Sequence, residues 1–263
     1  MKSSLIAIIA SATILVGCAK EDTGETIRLG VMSGAEAQVA EVAALVAKDK
    51  YNLTVKLIEF NDYVTPNSAL EEGSIDANAF QHRPYLDAQI KDRGYEFTVI
   101  GKTLVYPIAA YSESLTSIEE LEYGAKIAVP NDPTNLGRAL ILLETQGLIT
   151  LREGAGLSAT VLDIESNPNN FELIELEGPQ LPRALADVSI AIINNTFASE
   201  INLNPNDHGL FVEDADSPYV NLIVARTDNA DNEHLAQFVQ AYQTEEVLTK
   251  ANELFSNGVV KGW

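Results

Sequence analysis

An α/β fold with largely parallel sheets is what this sequence predicts, on three observations. From Thr26 onward, segments with strand patterning alternate with segments of helical periodicity. Residues 18–263 are long enough to bury the cores of two lobes. Beyond the N-terminal run, no stretch stays apolar for the roughly 20 residues that a membrane-spanning helix needs. Neither an internal repeat nor a low-complexity tract breaks the alternation.

The elements follow in order. Ile27 to Met32 is β-branched and apolar, a strand. Ala35 to Ala47 carries Val39, Val42 and Val46 at helical spacing. Leu53 to Phe60 alternates as a strand does. Pro84 to Arg93 opens on a proline suited to a first helical turn and stops before Gly94. Phe97 to Ile100 and Val105 to Tyr111 read as strands, and a second block starts near there. In it, Ile127 to Pro130 is a short strand, and Asn135 to Gln146 is a helix apolar on most faces and hence buried. Val161 to Ile164, Leu173 to Leu176 and Ile190 to Ile193 are further strand candidates. Two C-terminal helices are marked by Leu235, Phe238, Val239 and Tyr242, then by Val247, Ala251, Leu254 and Phe255.

The N-terminus has its own pattern. Lys2 precedes an apolar run, Leu5 to Val16, of signal-peptide length and too short to span a bilayer. The junction Leu15-Val16-Gly17-Cys18 resembles the lipobox of bacterial lipoproteins. That resemblance implies removal of residues 1–17 and acylation of Cys18, with residues 18–25 as a polar tether. Two or three acyl chains anchor firmly where one tethers only reversibly. The alternative is a buried structural cysteine behind a signal peptide. Cys18 is the only cysteine, so no intramolecular disulfide forms.

Composition and missing motifs exclude several function classes. A formal net charge of −21 repels phosphate backbones and argues against a nucleic-acid partner. HExxH, GxSxG, P-loop and CxxC motifs are all missing, so no enzyme chemistry is marked. His82, His208 and His234 lie far apart without ligand spacing, a poor metal receptor. Gly154 to Ala159 matches GxGxxA formally, but charged Arg152 and Glu153 stand where a dinucleotide site needs a strand, so the segment reads as a loop and no cofactor is expected.

Four strings combine aromatic and polar residues at element ends: Asn78-Ala79-Phe80-Gln81-His82-Arg83-Pro84-Tyr85, Val129 to Arg138, Ile193-Asn194-Asn195-Thr196-Phe197, and Ser217 to Leu222. Ligands in open α/β sheets sit beyond the carboxyl ends of strands. A helix start beside an arginine fork suits a carboxylate, with Arg138 as the fork. Tyr63, Phe80, His82 and Tyr85 suit an apolar slot, where aromatic rings can meet a thioether sulfur. For each residue a structural role is the alternative: core packing for Phe80, a satisfied buried imidazole for His82, backbone capping for Asn221, helix initiation for Asn135.

DANAFQHRPYLD, IAVPNDPTNLGR, EGPQLPRAL, SPYVNLIV and the terminal VKGW resemble the methionine-binding lipoproteins of bacterial ABC importers, the NLPA lipoprotein family. The resemblance implies a type II-like, two-lobed periplasmic-binding-protein fold. Each lobe is a mixed sheet flanked by helices, with the ligand cleft between them. Residues 26–108 plus 222–263 are expected to form lobe 1, and residues 109–221 lobe 2. The family's carboxylate-binding arginine falls on Arg138, with Asn135 one turn earlier. Its ligand-contacting asparagines fall on Asn194 and Asn221, and its aromatic and imidazole wall on Tyr63, Phe80, His82 and Tyr85. One departure is visible: relatives commonly read INTTY where this chain reads INNTF, with Asn195 and Phe197. The implied partners are methionine, a permease with its cytoplasmic ATPase, and a membrane held through Cys18. The implied location is the periplasm or the outer surface of the cytoplasmic membrane. Alternatives from the same residues are a receptor for another apolar amino acid or a small methionine-containing peptide, or a structural or adhesive surface lipoprotein.

Overall fold

A computed structural model describes residues 25–214 and 218–263. The signal-peptide reading, Cys18, the tether up to residue 24 and Ser217 lie outside the described residues.

The first part of the chain runs β1 (Thr26–Met32), α1 (Ala35–Tyr51), β2 (Thr54–Phe60), α2 (Thr65–Glu71), β3 (Ala77–His82), α3 (Arg83–Arg93) and β4 (Phe97–Val105). The second runs β5 (Ala109–Tyr111), β6 (Lys126–Pro130), α4 (Pro133–Thr145), β7 (Thr150–Leu151), β8 (Ile164–Ser166), β9 (Glu172–Leu176), α5 (Leu181–Ala184), β10 (Ile190–Ile193), α6 (Asn195–Glu200), α7 (Pro205–His208) and β11 (Phe211–Val212). The chain then returns through β12 (Val220–Arg226), α8 (Glu233–Tyr242), α9 (Glu245–Leu254) and β13 (Val260–Lys261).

Two sheets result. The six-stranded one has the order β13-β4-β12-β3-β1-β2, and the five-stranded one β11-β5-β10-β6-β9; β7 and β8 form a separate small ribbon. Both sheets are mixed, as the family resemblance implies, and not largely parallel as the alternation of elements suggests. β1 pairs parallel with β2 and β3, and β6 parallel with β9 and β10. β12, arriving from the far end of the sequence, lies antiparallel between β3 and β4. In the second sheet, β5 is antiparallel to both β10 and β11. A returning strand can enter a sheet in either direction, so alternation of elements along the chain does not fix the pairing sense.

Two further expectations are corrected. Val105 to Tyr111 is not one strand: β4 ends at Val105, β5 begins at Ala109, and residues 106–108 carry the chain from one sheet to the other. Pro107 has no N–H to offer a ladder, which suits it to such a break. Val161 to Ile164 is not a strand either, because Val161–Asp163 is a 3-10 turn. The Asp163 carboxylate accepts from both the N–H and the hydroxyl of Thr160, at 2.9 Å each, and this side-chain bonding competes with extended backbone.

Each sheet has its own core. Leu29, Val39, Ala43, Phe238, Val247 and Phe255 are buried between the first sheet and α1, α8 and α9. Ile127, Val129, Leu140, Leu143, Ile190 and Ile192 are buried between the second sheet and α4. A third cluster joins Met32, Phe80 and Tyr85 of the first sheet and its helices to Tyr111, Ile193 and Phe197 of the second. This bridging cluster forms one wall of the site.

Candidate functional site

Three strand ends lead directly into helices at one place. β3 runs into α3, with His82 as the N-cap: its Nδ1 accepts from the Tyr85 N–H at 3.2 Å. β6 runs through Asn131 into α4, where Asp132 is the N-cap and Pro133 occupies the first turn. β10 runs into α6 with Asn194 as the N-cap residue, and its side chain makes no cap bond. β12 brings Asn221 opposite His82 from the antiparallel side. The eight residues that the sequence marks, Tyr63, Phe80, His82, Tyr85, Asn135, Arg138, Asn194 and Asn221, all line one crevice. Gln81, Tyr106, Asn195 and Thr196 complete its lining.

The polar end is built around Arg138, which is only 4% exposed and turned inward. Its Nε donates to Glu213 Oε1 at 2.8 Å and its Nη2 to Glu213 Oε2 at 2.5 Å. Nη2 also donates to the Tyr106 carbonyl at 3.0 Å, and the Tyr219 ring lies 4.3 Å from Cζ. Among the described residues, these contacts leave Nη1 as the nitrogen not engaged. The α4 start itself is not a free anion site. Asp132 Oδ1 accepts from the Asn135 N–H at 3.0 Å, so the protein's own carboxylate sits where the sequence suggested a ligand anion.

Asn135 is engaged through both its amide nitrogen and its amide oxygen. Its Nδ2 donates to Asp132 Oδ2 at 2.9 Å, and its Oδ1 accepts from Asn194 Nδ2 at 2.9 Å and lies 3.3 Å from His82 Nε2. With His82 Nδ1 already accepting from Tyr85, Nε2 carries the proton and donates to Asn135. Burial, then the nearby Arg138 charge, push the imidazole pKa down to about 3, so His82 is neutral at ordinary pH. Asn194 differs from Asn135: its Oδ1 is buried and has no hydrogen-bond partner. A buried acceptor without a donor costs about 1–3 kcal/mol, and a ligand N–H aimed at it removes that cost. Asn221 Nδ2 donates to the Phe80 carbonyl at 3.0 Å, tying β12 to the stretch of β3 that carries the wall.

The apolar end is aromatic. Tyr63 lies 5.9 Å from Phe80, 6.2 Å from Tyr85 and 4.9 Å from Phe197, measured between ring centroids. The Tyr85 hydroxyl donates to the Tyr63 carbonyl at 2.7 Å, tying α3 to the loop before α2. Phe197 is completely buried, and its ring edge fills the space in which a Cβ on Gly178 would stand. Asn195, the other departure, lines the crevice, and its Oδ1 is buried without a partner.

Sequence reasoning missed Glu213, Tyr106, Thr196 and Glu36. Glu36, in the first turn of α1, is buried and accepts from the Thr196 hydroxyl; Thr196 in turn accepts from the Tyr63 hydroxyl at 3.0 Å. Burial raises the Glu36 pKa to about 7, and the Thr196 hydrogen bond offsets only part of the rise. An acid in the first turn of a helix reads as an exposed dipole partner, and nothing local marks it as buried. Among the described residues no three His, Cys, Asp or Glu side chains come together to hold a metal ion, and no helix is long and apolar enough to cross a membrane.

The model of the family described as NlpA lipoprotein matches residues 27–263. The probable D-methionine-binding lipoprotein MetQ of Vibrio cholerae is 59% identical over 265 residues, covering 100% of this chain and 98% of the relative. A crystal structure of the methionine-binding protein MetQ superposes with a TM-score of 0.90 at 60% identity, covering 90% of this chain and 98% of that one. A nutrient-binding protein from Burkholderia cenocepacia, solved bound to methionine, gives a TM-score of 0.88 at 46% identity, covering 90% of this chain and all of that one.

Proposed function

Since the chain belongs to the NlpA lipoprotein family, we propose that it is the substrate-binding protein of an ABC importer and that its crevice captures methionine. The observation that carries the reading is the meeting, in one crevice, of an inward guanidinium, the unpartnered Asn194 Oδ1 and a ring-lined end. Arg138 Nη1 receives the α-carboxylate and Asn194 Oδ1 the α-ammonium, while Tyr63, Phe80 and Tyr85 enclose the thioether chain. Asn135 and Asn221 position these groups through their own hydrogen bonds, and neutral His82 fills the wall between the two ends. Capture is binding without a covalent step, so the protein is a receptor and not an enzyme.

The finer assignments rest on the same reading. Lobe 1 comprises residues 26–108 with the C-terminal part, and lobe 2 the residues between. The sheet pairing supports placing the second crossing after Glu213 and before Val220, since Val220 and Asn221 already belong to β12. Ligand shifts an existing equilibrium between open and closed lobes. Cys18 carries the lipid anchor, and a permease with its ATPase receives the cargo at the outer face of the cytoplasmic membrane. Native mass spectrometry of protein purified without added ligand, followed by calorimetry with L- and D-methionine and other apolar amino acids, tests the proposal. Retained methionine mass or tight methionine binding is expected; tighter binding of a different amino acid, or of none, overturns it.

A further inference from the structure

Glu213 lies outside the crevice lining, yet it holds Arg138, the one cationic side chain that lines it among the described residues. It stands just after β11, where the chain starts back toward the first sheet, and its backbone N–H donates to the Ile108 carbonyl of the other crossing at 3.0 Å. Its side chain is 12% exposed and grips Arg138 bidentately, through Nε at 2.8 Å and Nη2 at 2.5 Å. The Tyr106 carbonyl takes a second Nη2 proton at 3.0 Å, and the Tyr219 ring covers one face of the guanidinium at 4.3 Å. Both segments that join the two sheets therefore hold the same planar group. A fork fixed on two edges and one face has little freedom to turn, and the edge left for the crevice is Nη1.

The pairing also sets the charge that a ligand meets. A bare guanidinium attracts any carboxylate. A guanidinium already matched by Glu213 offers directed N–H donors with little surplus charge, and a second carboxylate on its free edge is repelled by the first. That repulsion is relieved when the ligand brings its own cation, and Asn194 Oδ1, like Asn195 Oδ1 a buried acceptor without a donor in the same crevice, is placed to receive it.

We propose that Glu213 is the positioning residue that aims Arg138 and makes the crevice select 2-amino acid zwitterions over carboxylates that lack the amino group. The proposal rests on the reading of the crevice as a methionine site. Its test is calorimetry on the full chain, titrating methionine and its 2-oxo analogue, 4-(methylthio)-2-oxobutanoate, into the wild type, Glu213→Gln and Glu213→Asp. The wild type is expected to bind methionine at least about a hundredfold more tightly than the 2-oxo acid. Glu213→Gln keeps an acceptor but removes the charge, and it is expected to cut that ratio by about tenfold or more. Glu213→Asp, which restores the charge, is expected to recover part of the ratio.

Equal weakening of both ligands in Glu213→Gln would mark a purely structural role and overturn the inference, with the methionine reading intact. A wild type that binds the 2-oxo acid as tightly as methionine overturns it without any variant, whether or not the variants fold. A wild type that binds neither compound overturns both the inference and the reading beneath it.

Discussion

At the scale of single residues, the site is a set of side chains whose protonation and pairing are fixed by burial. Arg138→Ala removes the donor fork and strands the Glu213 carboxylate, so methionine affinity is expected to fall by roughly 2–5 kcal/mol in calorimetry. An unchanged affinity would place the ligand elsewhere. Glu36 gives a pH signature. Unfolded, it releases its proton near 4.5; buried against Thr196 it holds the proton to about pH 7, so the native state binds protons more tightly in that interval. The stability it contributes is complete below about pH 4.5 and is lost as pH rises through 7, a difference on the order of 3 kcal/mol. His82 acts with the opposite sign: with its pKa lowered from 6.5 to about 3, it favours folding above 6.5 and penalises it as pH falls toward 3. Thermal unfolding of wild type and Glu36→Gln between pH 5 and 8 separates the two. The variant is expected to gain on the wild type steadily as pH rises, and parallel curves would show that Glu36 does not titrate there.

Among elements, α4 shows how close packing is written into one position. A Cβ on Gly137 would stand 2.3 Å from the Leu157 carbonyl oxygen of the 3-10 turn Gly156–Ser158, so only glycine permits this approach. Gly137→Ala raises helix propensity by about 1 kcal/mol, yet the backbone clash is expected to win and destabilise the protein by roughly 1–3 kcal/mol in urea unfolding. A more stable variant would show that the turn moves aside freely. The same helix was legible beforehand, because its apolar residues cover most faces, although it begins at Pro133 and not at the expected Asn135. So were α1, α8 and α9, from their spacing, and the four strings of the crevice, since polar and aromatic residues at strand ends have little to do in a core. β12 was legible only as a string: its place between β3 and β4 depends on partners more than a hundred residues away. Glu213 was not legible at all, for it sits in an acidic stretch and its partner is 75 residues distant in sequence. Periodicity reports faces within an element and is silent on pairings across the chain.

For the whole molecule, the chain leaves the first sheet once and returns to it once. The return inserts β12 at the middle of that sheet and adds β13 at its edge, so the first sheet closes only when the C-terminus arrives. Further ties cross between the halves: Asn206 Nδ2 donates to the Ser256 carbonyl at 3.1 Å, and Thr196 donates to Glu36. Long-range charge is a property of this scale as well. A surface of −21 builds a strong field, and such fields accelerate or slow the arrival of charged ligands by factors of about 10–1,000. Methionine carries no net charge near neutral pH, and the guanidinium proposed to receive it is paired with Glu213. Stopped-flow association rates are therefore expected to change by less than about threefold between ~20 and ~500 mM salt; a steep dependence would mean that the paired guanidinium still acts as an unshielded cation. Flat rates would give the bond between Arg138 and Glu213 an ecological reach beyond its 2.5 Å, since a receptor whose loading ignores dissolved ions scavenges equally well in fresh water and in brine.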